Sequence, residues 1–124
     1  MNIFKSSFLI IGEGITFEYC SNFFKDNDII YYSTTTDDII DINNSEIICK
    51  NKKIDLDKVD YIVISPGIPP TNPVLQKLAL SGHKFTTDIE LIQNLSQSKF
   101  ICITGTNGKT STVNLIADIL NDNN

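Results

Sequence analysis

The sequence predicts an α/β fold: a Rossmann-like N-terminal domain with a mostly parallel sheet, followed by a strand, a glycine-containing loop and a helix that begin a second domain. Short apolar runs alternate with longer amphipathic stretches along the 124 residues, as in β–α–β proteins. Two of these runs, residues 8–11 and 100–103, lead directly into glycine-containing turns. Apolar residues make up 41% of the chain and charged residues 20%, which is enough for a packed core.

The first third of the chain predicts one β–α–β unit. Phe17, Cys20 and Phe24 are spaced i, i+3 and i+7, which places them on one face of a helix. The apolar runs on either side suit strands that are covered on both faces. In order, we expect a strand at 8–11, a helix at 16–25, a strand at 29–32 and a hydroxyl-rich loop at 33–36. Further on, residues 37–44 are expected to form a short helix, and residues 46–49 and 53–54 short strands or a hairpin.

The second half predicts alternating strands and helices with clear helix starts. Asn72 and Pro73 suit the N-cap and first position of a helix that ends at Gly82. Thr87 and Glu90 have the spacing of a capping box. In order, we expect a strand at 61–64, a helix at 73–81, a strand at 84–86, a helix at 88–95, a strand at 100–103 and a helix at 109–120.

A polar break at residues 96–98 predicts a domain boundary. We therefore expect one complete domain at 1–95 and the start of a second domain at 96–124. A single strand, loop and helix cannot bury their own apolar faces, so the helix face of Val113, Ile116 and Leu120 is expected to be exposed when nothing follows it.

Charge and composition exclude several classes of protein. The net charge of −5 and the pI near 4.6 argue against nucleic-acid binding. The absence of arginine excludes bidentate arginine recognition within these residues. No apolar run approaches the ~20 residues of a membrane-spanning helix, and the first residues do not have the pattern of a signal peptide. The three cysteines lie far apart, as is typical of reduced thiols. We expect a cytoplasmic protein without nucleic-acid partners or membrane insertion.

The strongest motif lies between the predicted strand 100–103 and the helix that follows it. Small residues there let backbone N–H groups turn towards phosphate oxygens, and the helix N-terminus adds partial positive charge. In this context Lys109 would reach the β- and γ-phosphates of ATP, and the Thr110 hydroxyl would bind Mg²⁺. The ATP-binding residues are predicted to be Gly105, Thr106, Asn107, Gly108, Lys109, Thr110 and Ser111.

The compact order Gly-Thr-Asn-Gly-Lys-Thr at 105–110 resembles the ATP loop of the Mur ligases and of the related folylpolyglutamate synthases. Three further stretches narrow the resemblance. The turn at 64–69, the Thr-Asp-Ile-Glu-Leu stretch at 87–91 and the first glycine turn at 11–16 are similar to the N-terminal part of the Mur ligase that adds D-glutamate.

This resemblance implies an ATP- and Mg²⁺-dependent ligase of peptidoglycan precursor synthesis. Its substrates would be UDP-N-acetylmuramoyl-L-alanine and D-glutamate, joined through an acyl phosphate, with Lys109 and Thr110 as catalytic residues. The resemblance makes residues 1–95 a UDP-substrate-binding domain and residues 96–124 the start of the central ATP-binding domain, with its phosphate loop and helix. The missing downstream domains of the same enzyme are implied as partners, so the chain alone is expected to be inactive. The implied substrate-binding residues are Ile15, Thr16, Thr34, Thr35, Thr36, Ser65, Gly67 and Ile68.

Two alternatives stay open at this stage. The chain could be a stand-alone Rossmann-like module that binds a uridine nucleotide without catalysis. It could also be a ligase of the folylpolyglutamate type, which is disfavoured because those enzymes lack a preceding domain with the turn at 64–69.

Overall fold

The computed structural model describes residues 2–122. Most predicted elements are confirmed with small changes in their bounds; the second strand begins two residues later than expected. The strands are β1 (Phe8–Ile11), β2 (Tyr31–Thr34), β3 (Ile39–Ile42), β4 (Glu46–Cys49), β5 (Lys53–Asp55), β6 (Tyr61–Ile64) and β7 (Phe85–Thr86); the helices are α1 (Ile15–Asp26), α2 (Pro73–Leu80), α3 (Asp88–Leu95) and α4 (Lys109–Asp122). Three-residue 3₁₀ turns lie at Ile3–Lys5, Thr36–Asp38 and Leu56–Lys58.

A parallel sheet in the order β2-β1-β6-β7 forms the centre of the fold, which confirms the predicted Rossmann-like architecture. Successive residues of β1 point to opposite faces of the sheet. Phe8 and Ile10 pack with α1 and α3, where the Phe8 and Phe24 rings stack with centroids 4.6 Å apart. Leu9 and Ile11 pack on the other face. All four residues of β1 are fully buried, as expected for a strand covered on both sides.

A second sheet covers part of the other face of the parallel sheet. It is antiparallel, in the order β3-β4-β5, and contributes Ile42, Ile47 and Ile54 to the core. The helix predicted at residues 37–44 is therefore wrong. The β-branched residues of β3 pair with β4, and pairing with a neighbouring strand outweighs a weak local helical pattern.

Side-chain caps fix the starts of α2 and α3. The Asn72 carboxamide oxygen accepts the N–H of Val74 at 2.9 Å, which confirms the predicted cap. The Thr87 hydroxyl accepts the N–H of Glu90 at 3.2 Å. The capping box is only half formed, because the Glu90 carboxylate accepts the hydroxyl of Thr86 at 2.9 Å. This bond joins β7 to α3.

The strand predicted at residues 100–103 does not form. No strand in the described chain pairs with this segment, and a strand without a neighbour leaves its backbone hydrogen bonds unmade. The helix predicted next is confirmed as α4, which has no buried residue. Val113 and Leu120 are exposed, as expected, whereas Ile116 is half-buried. Within residues 2–122, no helix is both long and apolar enough to cross a bilayer.

Candidate functional site

A cleft of about 190 Å³ opens at the carboxyl ends of β1 and β2. In open α/β sheets this edge is where ligands bind. Three parts of the chain build the cleft: the turn between β1 and α1, the end of β2 with the 3₁₀ turn after it, and the hairpin turn between β4 and β5. Its lining residues are Gly12, Glu13, Phe17, Ser33, Thr34, Thr35, Asp38 and Lys52.

The turn between β1 and α1 requires glycine for two separate reasons. Gly12 and Gly14 have φ angles of 125° and 80°, which residues with a side chain rarely adopt. A Cβ atom on Gly12 would also lie 2.7 Å from the Cβ of Ser65, so the close approach of β6 excludes a side chain there. The Gly12 N–H donates to the Thr34 carbonyl at 2.9 Å, which ties this turn to β2.

The first turn of α1 presents backbone N–H groups beside the cleft. Gly14 is the N-cap and supplies no side chain to accept from them. Glu18 is the first residue of α1 whose N–H bonds inside the helix, to the Gly14 carbonyl at 3.0 Å. The N-terminus of a 12-residue helix has partial positive charge, so this end of the cleft suits an anionic group.

The hydroxyl-rich run at the end of β2 contributes to the cleft in part. Thr34 and Thr35 line it, whereas Thr36 begins the 3₁₀ turn and does not. The Thr34 side chain is buried, and its hydroxyl lies 3.3 Å from the sulfur of Cys49 in β4. Thr35 is half-buried, so part of its side chain stays open to a ligand.

Other predicted substrate residues lie near the cleft but do not line it. Ile15 is 72% exposed at the start of α1. Thr16 is buried, and its hydroxyl donates to the Asp88 carboxylate at 3.0 Å, which joins α1 to α3. Burial, and secondarily the negative charge of Asp88, raise the pKa of the neighbouring Cys20 thiol to about 11.

The turn after β6 packs against the glycine turn between β1 and α1. The Ile68 N–H donates to the Ser65 carbonyl at 3.0 Å, and the Ile68 side chain packs against the core. Ser65 is buried against Gly12. Gly67 has no neighbour within 4 Å of the position of a Cβ atom. Ser65 and Ile68 therefore lie close to Gly12, and none of the three predicted residues is among those that line the cleft.

Six of the residues that line the cleft were not predicted as site residues from the sequence. Gly12, Glu13 and Phe17 belong to the recognised glycine turn and its helix, so their position after β1 was an available signal. Ser33 and Asp38 flank the predicted threonines. Lys52 gave no signal, because its position depends on how the β4–β5 hairpin folds over the end of β2.

The second predicted site is the phosphate loop, which lies at the start of α4. Gly105 and Gly108 have φ angles of 152° and 78°, conformations that glycine adopts readily. The Lys109 amine donates to the Gly105 carbonyl at 2.6 Å, so its side chain folds back over the loop. The Thr112 N–H and hydroxyl both donate to the Gly108 carbonyl at 2.9 Å. Residues 104–111 are all exposed.

The types of group in this loop suit the binding of the phosphates of ATP. Its glycines leave room for close approach, the 14-residue helix α4 directs N–H groups at the loop, and Lys109 already bonds an oxygen atom across it. Thr110 is the hydroxyl that the motif offers to Mg²⁺. Residues 2–122 contain no group of three His, Cys, Asp or Glu side chains arranged to hold a metal ion.

The chain is similar to several enzymes that share one name. No family model matches the chain. It is 40% identical over 84 residues to the UDP-N-acetylmuramoylalanine--D-glutamate ligase of Clostridioides difficile (strain 630), a match covering 67% of this chain and 19% of that protein. The similarity confirms the resemblance to the Mur ligases.

Two further enzymes of that name show the same level of similarity. The one from Geobacillus sp. (strain WCH70) is 40% identical over 78 residues, which is 61% of this chain and 17% of that protein. The one from Lactobacillus delbrueckii subsp. bulgaricus (strain ATCC 11842) is 42% identical over 66 residues, which is 53% of this chain and 14% of that protein. The matched segment is thus less than a fifth of the length of these Mur ligase relatives.

Proposed function

We propose that the chain is the N-terminal part of a Mur ligase that adds D-glutamate to UDP-N-acetylmuramoyl-L-alanine. The observation that carries this proposal is the ~40% identity to enzymes of that name over more than half of the chain. In the proposal, residues 1–95 bind the UDP end of the substrate and residues 96–124 begin the ATP-binding domain. The downstream domains of the enzyme, and a cytoplasmic location, are part of the same proposal.

The cleft supports the substrate half of the proposal. It has an uncapped helix N-terminus for the phosphates, and Thr34 and Thr35, two of the residues predicted for the uridine end, line it. Ser65 keeps the glycine turn close to β6, and the bond from Thr16 to Asp88 fixes the first turn of α1. In this role Thr16 and Ser65 position the backbone that contacts the nucleotide.

The reaction would need the phosphate loop as well. Transfer of the γ-phosphoryl group of ATP to the alanyl carboxylate would release ADP and form an acyl phosphate. The amine of D-glutamate would then attack the acyl carbon, forming the amide bond and releasing phosphate and a proton. Transfer of this kind depends on positioning and on neutralising charge. Lys109 would exchange its bond to the Gly105 carbonyl for a phosphate oxygen, and Thr110 would help to hold Mg²⁺. Lys109 and Thr110 are therefore the proposed catalytic residues of this chain.

Calorimetric titration of the chain with UDP tests the substrate half. We expect Gly12→Ala to weaken UDP binding about tenfold or more, because the added methyl group displaces the turn from Ser65. Gly82→Ala is the matched control, since Gly82 also has a positive φ of 81° but lies at the end of α2 with open space around it. Absence of UDP binding to the wild-type chain would refute the proposed substrate domain.

A second titration and an activity assay test the ligase half. We expect Lys109→Met to remove ATP binding. Lys99→Met is the control, because Lys99 is exposed, and it should leave ATP binding unchanged. This result would support ATP binding by the phosphate loop. We expect no ADP release from the chain alone with UDP-N-acetylmuramoyl-L-alanine and D-glutamate. Turnover by the 124-residue chain would contradict its assignment as an incomplete part of the enzyme.

One observation favours a second candidate, a uridine-nucleotide-binding module without catalysis. The cleft is built on the packed parallel sheet, whereas the phosphate loop has no buried residue around it. Binding of UDP without any binding of ATP would favour the module over the ligase.

A further inference from the structure

Lys52 reaches the cleft from an element that has no nucleotide-binding motif. It lies in the turn between β4 and β5, and its amine donates to the Ser33 carbonyl near the end of β2. The two neighbouring lysines of the hairpin do not line the cleft. Lys50 pairs with Asp38 at 3.5 Å, and Lys53 pairs with Glu46 at 3.5 Å on the hairpin itself. Of these three, Lys52 alone lines the cleft.

The charges that line the cleft favour this amine as the partner of an anionic ligand. Glu13 and Asp38 are both lining residues, and Asp38 is paired with Lys50. Among the described residues that line the cleft, Lys52 is the only one with a positively charged side chain. The chain has no arginine to supply a guanidinium group. The N-terminus of α1 offers roughly half a positive charge, which is less than the charge of a diphosphate.

The bond that Lys52 makes leaves the amine able to bind phosphate. An ammonium group has three N–H donors, and the Ser33 carbonyl uses one of them. The side chain is exposed, so it can turn towards a ligand without breaking core packing. Its anchor on β2 keeps the amine beside Thr34 and Thr35.

We propose that Lys52 is a binding residue for the phosphate groups of a uridine nucleotide held in this cleft. The inference rests on the proposed function, since it names the residue that neutralises the phosphates of the same ligand. Lys52 would donate to a phosphate oxygen from the side of the cleft opposite the β1–α1 turn, and the N–H groups of α1 would face the nucleotide from the other side.

The test compares the affinities of variants for UDP and for uridine, measured by calorimetry or by NMR shift titration. We expect Lys52→Met to weaken UDP binding about tenfold, the usual size of a lost charge-assisted hydrogen bond at a partly exposed site. Uridine binding should change less than about twofold, because uridine has no phosphate. Lys52→Arg should retain most of the UDP affinity, since it restores the positive charge.

Lys53→Met is the matched control, because it removes the same charge from the same hairpin but away from the cleft. It should leave UDP binding within about twofold of wild type. Lys52→Gln keeps a polar end group and serves as the second variant if the methionine variant unfolds.

Each outcome separates the inference from the proposed function. If the wild-type chain does not bind UDP, both the proposed function and the inference about Lys52 are refuted. If wild type binds UDP and the Lys52 variants bind it equally well, the inference alone is overturned. It is also overturned if Lys52→Met weakens UDP and uridine by the same factor, because Lys52 would then act on the nucleoside or on the hairpin. The inference is supported if Lys52→Met lowers the affinity for UDP but not for uridine, and Lys52→Arg retains the affinity for UDP.

Discussion

Residues 2–95 and residues 99–122 both contain apolar runs and amphipathic helices, but only the first region buries them. The first region buries both faces of its parallel sheet, and its two core clusters contain Phe8, Ile10 and Phe24 on one side and Leu9 and Ile11 on the other. The second region contains an apolar run and a 14-residue amphipathic helix, yet none of its described residues is buried. The difference lies in the presence of neighbours, because an apolar face is buried only against another element.

The two apolar runs before the glycine turns show this most directly. Residues 8–11 form β1 because β2 and β6 pair with it on either side. Residues 100–103 have a similar composition but no paired strand in the described chain, and they stay irregular. A local pattern can therefore predict where a strand would form, while the pairing partner decides whether it does.

The largest expected effect is on stability, in a matched pair of leucines. Leu78 in α2 is fully buried, and Leu115 in α4 is 60% exposed. Leu78→Ala should lower the free energy of unfolding by about 2–5 kcal/mol, because it leaves a cavity in the core. Leu115→Ala should change it by less than about 0.5 kcal/mol. Urea denaturation followed by circular dichroism measures both, and equal losses would contradict the difference between the two regions.

The next effect concerns thiol reactivity. Cys102 is exposed, whereas Cys20 and Cys49 are buried. Burial and Asp88 raise the pKa of Cys20 from 9.0 to about 11, so at pH 8 it has about 100-fold less thiolate than an ordinary cysteine. A disulfide reagent should modify Cys102 at least ~100-fold faster than Cys20, and Cys102→Ser should remove that fast phase.

The same pKa shift predicts a pH dependence of stability. Because the folded state holds the Cys20 proton more tightly than the unfolded state, stability from this group is present below pH 9 and decreases as the pH rises from 9 towards 11. Unfolding midpoints of wild type and Cys20→Ser across this range measure the effect. A midpoint difference between them that does not change with pH would contradict it.

Much of the packed region could be predicted from the sequence, and the failures have physical causes. The strands β1 and β6 and the caps Asn72 and Thr87 depend on local pattern and local hydrogen bonds, which the sequence displays directly. The error at residues 37–44 arose because β3 is defined by its pairing with β4.

The cleft was predicted less well than the fold. Thr34 and Thr35, which the resemblance implied as substrate-binding residues, line the cleft. Thr16 and Ser65 were expected at the ligand, but they bond or pack against neighbouring elements. Lys52 was missed because a contact between a hairpin turn and β2 leaves no periodic signal in the sequence.

A smaller effect is expected for a helix cap in the packed region. Asn72→Ala removes the bond to the N–H of Val74 and should cost about 1 kcal/mol of unfolding free energy. Asn114→Ala in the exposed helix α4 is the matched control and should change stability by less than about 0.5 kcal/mol. If Asn114→Ala destabilised the protein as much as Asn72→Ala, α4 would have to be coupled to the packed region.

The smallest expected effect follows from removing the exposed region altogether. A chain that ends at Gln97 keeps every residue of both core clusters, because the last of these, Leu95, precedes the cut. We expect its unfolding free energy to lie within about 0.5 kcal/mol of the full chain, since no residue buried in the core is lost. UDP affinity should also be unchanged, because every residue that lines the cleft is retained, whereas ATP binding should disappear with residues 104–111. A marked loss of stability would show that residues 99–122 support the sheet, and a marked loss of UDP binding would show that they contribute to the cleft.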